Sequence, residues 1–131
     1  MIDFMETAEI KQKIYMNPEN ILEIIENASM GICITNADAK FVAVNNNYCN
    51  IYGYTREELI GHSFTIVVPD AFKEKMELLH QKFLRDKSEM ARNWTVINKN
   101  GQEMEISVDT SYSEDIFDKN PHKITFVHKE A

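Results

Sequence analysis

The chain has 131 residues, enough for one domain with a hydrophobic core and too few for two ordinary ones. Its 44% hydrophobic and 10% aromatic content belongs to a folded protein rather than a disordered one. The 21 acidic and 14 basic side chains leave a net charge of −7, which disfavours nucleic acid and anionic membrane surfaces, since both are bound by neutralising phosphates with Lys and Arg.

No apolar run approaches the ~20 residues needed to span a bilayer. The N-terminal stretch MIDFMETAEIKQKIYM has early acids and no continuous apolar core, so it does not read as a secretory signal. Cys33 and Cys49 form no CxxC pair, and the expectation is two reduced, buried thiols in a cytoplasmic protein.

Residues 5–16 read as a helix with Ile10 and Ile14 in i,i+4 register. Asn17-Pro18 interrupts it, and a second helix to about Ala28 carries Ile21, Leu22, Ile24 and Ile25 on a broad apolar stripe. So much apolar surface needs a mate, either the domain's own sheet or the same helix of another copy. On the second alternative Ile10, Ile14, Ile21, Leu22 and Ile25 form a dimer interface. Domain bounds follow: a helical extension over 1–19 and the domain proper over 20–131.

Gly31 opens a strand, Ile32 to Thr35, which Asn36-Ala37-Asp38-Ala39 reverses into Lys40–Val44. The run Asn45-Asn46-Asn47 stops the ladder and supplies a cap for a short helix, Tyr48–Tyr52, which ends at Gly53. Thr55 and Glu58 match a capping box, with Gly61 as the left-handed residue past the helix end. After Pro69 comes the longest helix, to about Asp86, with Phe72, Met76, Leu79 and Phe83 forming an apolar face. Strands 92–99 and 102–112 are joined at Asn100-Gly101, a type I′ hairpin signal. Met104, Ile106 and Val108 alternate with Glu103, Glu105, Ser107 and Asp109, which predicts one dry and one wet face. A loop over 113–122 leads to a last strand, Lys123–Lys129, with Ile124, Phe126 and His128 on one side. Two strands, a set of helices and three strands imply an α+β fold, a five-stranded antiparallel sheet with helices packed over one face.

The run Asn45 … Tyr52-Gly53-Tyr54-Thr55-Arg56-Glu57-Glu58-Leu59-Ile60-Gly61, followed by Lys99-Asn100-Gly101 before an alternating strand, resembles the PAS domain family. The resemblance covers roughly residues 20–129. It implies sheet order 2-1-5-4-3, dimerisation through N-terminal helices, and a place upstream of an output domain such as a histidine kinase or diguanylate cyclase. Many such domains end in an Asp-Ile-Thr triplet; here Val127-His128-Lys129-Glu130-Ala131 stands instead, so the exit is cut short or altered. The resemblance therefore suggests the sensor portion of a longer polypeptide.

Light sensing through a flavin–cysteinyl adduct needs a thiol where Gly61-His62-Ser63-Phe64-Thr65 stands, and that chemistry is rejected. Non-covalent flavin rests on Trp94 with Asn98; a Trp filling core volume is the competing reading. For haem, the resemblance to haem-binding members of the PAS family implies a ligand histidine near Met76, whereas His80 sits one turn later, beside the apolar face. Neither cofactor is expected, and no zinc set can be written from His62, His122, His128 and the cysteines. The glycines are too sparse for a phosphate loop and no nucleophile motif is present, so no enzyme activity is expected. Alternation selects a cleft lined by Cys33, Thr35, Tyr48, Tyr52, Met76, Leu79, Phe83, Trp94, Val96, Met104, Ile106, Val108, Phe126 and His128. His128 is equally compatible with solvent exposure at the strand end. The expected function is a sensory module that binds a small ligand or relays a signal; the alternative is a protein-interaction and dimerisation module with a filled core.

Overall fold

The structure, a computed structural model, describes residues 1–87 and 91–130. Ala131, the last residue of the altered exit, lies outside them. Five strands, β1 (Gly31–Asn36), β2 (Phe41–Val44), β3 (Arg92–Ile97), β4 (Glu103–Ser113) and β5 (His122–Lys129), form one antiparallel sheet. Their spatial order is β2-β1-β5-β4-β3, as the resemblance implied. Helices α3 (Asn46–Tyr52), α4 (Arg56–Leu59) and α5 (Lys73–Asp86) connect β2 to β3, with 3-10 turns at Phe64–Val67 and Asp70–Phe72. Ahead of the sheet come α1 (Phe4–Met16), a 3-10 turn at Pro18–Asn20, and α2 (Ile21–Glu26).

The sequence placed helices over one face, with a mate for the N-terminal stripe left open. In the structure both faces are covered. On one side Tyr48, Tyr52, Leu59 and Val67 pack on Cys33, Val96, Met104, Ile106, Val108 and Val127. On the other, Ile10, Ile14, Ile21 and Ile25 pack on Ile32, Ile34, Ala43, Ile124 and Phe126. The mate of the stripe is thus the chain's own sheet. Four of the five residues read as a dimer interface lie inside the protomer, and only Leu22 is exposed.

Local chemistry explains how α1 is held. Asp3 caps it, its Oδ1 accepting from Met5 and Glu6 N–H at 3.0 Å. Lys11 Nζ lies 3.1 Å from Asp109 Oδ2 and 5.9 Å from the centre of the Phe126 ring. The expected wet face of β4 holds at Glu103 and Glu105 but not at Ser107 and Asp109, which are buried, Asp109 against Lys11 of the helix. A strand covered on both sides need not alternate apolar with polar, and the buried Asp109 carboxylate is met there by Lys11.

The same covering defeats the simple reading of β5. Ile124 and Phe126 do share a face, but it is the one under α1 and α2. Lys123, Thr125 and Val127 face α5 instead. The β1–β2 ladder also slips: Ile34 pairs with Ala43 but Thr35 with Phe41, so Val42 is a bulge and Phe41 joins the cleft-side core.

Two turns share one construction. Asn36 Oδ1 accepts from Asp38 and Lys40 N–H, and Asn98 Oδ1 accepts from Asn100 and Gln102 N–H, all at 3.0 Å. Only the fourth residue of each is left-handed, Ala39 at φ 63° and Gly101 at φ 80°. The β3–β4 connection is therefore not the expected type I′ turn, which needs two residues at positive φ. The capping box of Thr55 and Glu58 forms as expected, while Asn17 makes no side-chain cap.

Asn45 ties the layers together. It is fully buried; its Oδ1 accepts from Ile32 N–H and Tyr48 N–H, both at 2.9 Å, while Nδ2 donates to Ile25 O at 2.8 Å and Met30 O at 2.9 Å. One amide thereby caps α3 and joins it to β1 and to the segment that follows α2. Gly31 allows this approach, since a Cβ there would meet Ile51 Cδ1 at 2.8 Å and Tyr48 Cα at 3.2 Å.

Candidate functional site: a cleft between the sheet and helix α5

Helix α5 crosses the sheet at the side where β4 and β5 carry medium-sized residues, and a cavity remains between them. Its volume is about 80 Å³, measured as the space open to the centre of a water molecule. One water needs about 10–15 Å³ on that measure, so several waters or one small organic molecule fit.

Of the residues expected to line the cleft, Cys33, Thr35, Tyr48, Tyr52, Met76, Leu79, Trp94, Val96, Ile106 and Val108 do so. Met104 faces the same way but is buried against the neighbouring core, opposite Val96. Phe83 is buried beside the cavity, its ring 5.0 Å from Lys123 Nζ. Phe126 is a correction: it lies on the opposite face of the sheet, among the residues under α1 and α2. His128 is also corrected, being exposed and remote from the cleft. Both follow from the strand's parity, which turns Lys123, Thr125 and Val127 inward.

The inward face of α5 is likewise rotated from expectation. Phe72 precedes the helix and is 46% exposed, whereas His80 is 1% exposed and lines the cleft. Its Nε2 lies 2.9 Å from Asn36 O; a carbonyl only accepts, so Nε2 carries the proton and donates. Burial, with the Lys123 charge nearby, holds the imidazole below its ordinary range, so it is neutral at pH 7.

Lys123 was missed by the sequence reading, because strand parity was set by the larger Ile124 and Phe126. It is half-buried, and desolvation pushes its pKa down. At the other side of the cavity Tyr48 and Tyr52 stack with ring centres 4.6 Å apart, and burial raises both phenols. Burial also pushes the Cys33 thiol up to about 11, so it is an unreactive neutral group here. Cys49 is half-buried on α3.

The cavity does not suit haem or flavin. Its volume is far below the ~300–1,000 Å³ of sites for larger ligands. His80 is already engaged by Asn36, and Asn98 spends its side chain on the hairpin turn and on Gln102. Arg92 rather than a planar ligand lies over Trp94, 5.1 Å from its ring centre. Among the described residues no cluster of His, Cys, Asp and Glu is arranged to hold a metal ion. No helix among them is long and apolar enough to cross a membrane.

A five-stranded antiparallel sheet in this order, with helices enclosing a cleft, defines an α+β module with a small interior site. The PAS domain family model matches residues 29–128, and the chain belongs to the PAS domain family. PAS domains are generally sensory, non-catalytic modules, and no enzymatic family is indicated.

Solved structures agree on the fold. A PAS domain from Desulfitobacterium hafniense superposes with TM-score 0.73 at 15% identity, covering 82% of this chain and 99% of that one. The PAS domain of an HTR-like protein from Haloarcula marismortui gives 0.70 at 17% identity, over 94% and 99%. A domain of a sensory box sensor histidine kinase/response regulator from Geobacter sulfurreducens gives 0.67 at 17% identity, over 86% and 95%. No curated protein matches the chain by sequence.

Proposed function

We propose that the chain is the signal-input module of a cytoplasmic signalling protein, acting on a linked output domain such as a histidine kinase or diguanylate cyclase. The observation that carries this reading is the placement of the cavity and α1 on opposite faces of the same two strands. Val108, Thr110, Thr125 and Val127 line the cavity, while the intervening Asp109 and Phe126 meet Lys11 of α1. A change in cavity contents shifts those strands and so the seat of α1. The shift is limited to the ligand's difference in affinity between the two arrangements. Asn45 supplies a second link, from the cavity wall at Tyr48 to the end of α2.

Homodimerisation is part of this proposal. With Ile10, Ile14, Ile21 and Ile25 used internally, the apolar side chains of α1 and α2 that are more than half exposed, and so open to a second copy, are Met5, Tyr15, Met16 and Leu22. The test is to read the coding sequence flanking the chain and assay the encoded output with and without Leu79→Trp, which fills the cavity. A changed basal output supports the reading; an output indifferent to the substitution, or no output domain, refutes it. The second reading, a ligand-free interaction module, is favoured by the small cavity volume. Native mass spectrometry of the intact chain separates the two.

A further inference from the structure

The cleft is polar at one end and apolar at the other, and strand register sets the gradient. Lys123 stands opposite Thr35, the next inward row is Thr125 opposite Cys33, and the next is Val127 opposite Val108. His80 closes the polar end from α5. The side chains lining the cavity include one lysine and no aspartate or glutamate. Among the described residues, the Lys123 ammonium lies 5.0 Å from the centre of the Phe83 ring, and no carboxylate is within ion-pair distance of it. A desolvated cation over an aromatic ring, in a cavity it shares with Thr35, Thr125 and a neutral imidazole, is a charge waiting for its counterion.

We propose that this cavity binds a small organic monoanion, a short-chain carboxylate, with its oxygens at Lys123 and Thr35 and its alkyl end along Leu79, Val108 and Val127. The inference rests on the sensory reading above and names the class of ligand for it. Three features select that class. The volume of about 80 Å³ admits a molecule of only a few heavy atoms. The single cation matches one negative charge; the cavity has no arginine fork of the kind that recognises phosphate. The apolar rows beyond Thr125 favour an alkyl tail over an inorganic ion. Desolvation lowers the Lys123 pKa and the Lys123 charge in turn disfavours protonation of His80, so an anion here relieves both.

The test is isothermal titration of the full chain near neutral pH with sodium acetate, propanoate and butanoate, at ionic strength held constant with sodium chloride. At least one acid saturates, with a dissociation constant in the millimolar range or below, as a ligand of so few atoms permits. Lys123→Met keeps the volume and removes the charge, and weakens that binding at least tenfold. Leu79→Trp keeps the charge and fills the space, and also abolishes binding. The proposal is overturned if none of the three acids saturates, if Lys123→Met binds as tightly as the parent, or if chloride alone gives an equal response. A chain that binds none of the acids but still drives its output through α1 loses this inference and keeps the sensory reading.

Discussion

Truncating Asn45 to alanine removes one amide and four hydrogen bonds at once. The N–H groups of Ile32 and Tyr48 lose their acceptor and the Met30 carbonyl its donor, while the Ile25 carbonyl loses one of two donors and keeps the Ala28 N–H at 3.3 Å. The site is fully buried, so water does not replace the missing partner without opening the junction of α2, β1 and α3. At about 1 kcal/mol for each hydrogen bond, the expected loss is ~4 kcal/mol, a large share of the 5–15 kcal/mol typical of a domain. Asn45→Ser keeps an oxygen at the cap of α3 and recovers about 1 kcal/mol of this. Urea unfolding followed by the fluorescence of Trp94, the only tryptophan, reads both values. A cost below about 1 kcal/mol for Asn45→Ala would refute the claim that this amide holds the layers together.

Ala39→Gly relieves a left-handed alanine at φ 63° and should raise stability by ~0.5 kcal/mol after the entropy of the added glycine; a loss of stability would contradict this. His80 is held below its ordinary value near 6.5 by burial, so below pH 6.5 the unfolded chain takes up a proton that the folded chain does not. Stability therefore falls as pH drops below 6.5 towards the folded-state value, and His80→Gln should flatten the urea-midpoint curve over that window; parallel curves would contradict it. Of the two thiols, Cys49 should alkylate in the folded chain while Cys33, buried and pushed up to about 11, stays protected. Mass mapping after iodoacetamide treatment decides this, and equal labelling would count against it.

What was legible in the sequence was local. Thr55 and Glu58 declared their capping box, the run Asn45-Asn46-Asn47 a cap for α3, and the apolar periodicity of α1, α2 and α5 their existence. Element order and turn residues then led to the antiparallel sheet, and the resemblance supplied its order. The parity of β5 was hidden because both of its faces are covered. With Val127 and Phe126 both nearly inaccessible, alternation gave no polar side to orient by. Larger apolar residues were assumed to face the cleft, whereas the sheet turns them towards α1. For the same reason Lys123 and His80 were not recognised as neighbours: one hid behind the parity and the other behind an apolar face that began at Phe72. Asp109 read as solvent-facing because nothing in β4 itself announces that a helix more than 90 residues earlier will cover it.

The account depends on one sheet joining the cleft on its inner side to α1 on its outer side. Amide hydrogen exchange of α1, followed at Ile10 and Lys11 in the parent chain and in Leu79→Trp, tests this most directly. Filling the cavity should lower protection in α1 about fivefold or more, the exchange equivalent of ~1 kcal/mol of coupling, while the hairpin at residues 98–102 is unchanged. Identical protection of α1 in the two proteins would contradict it.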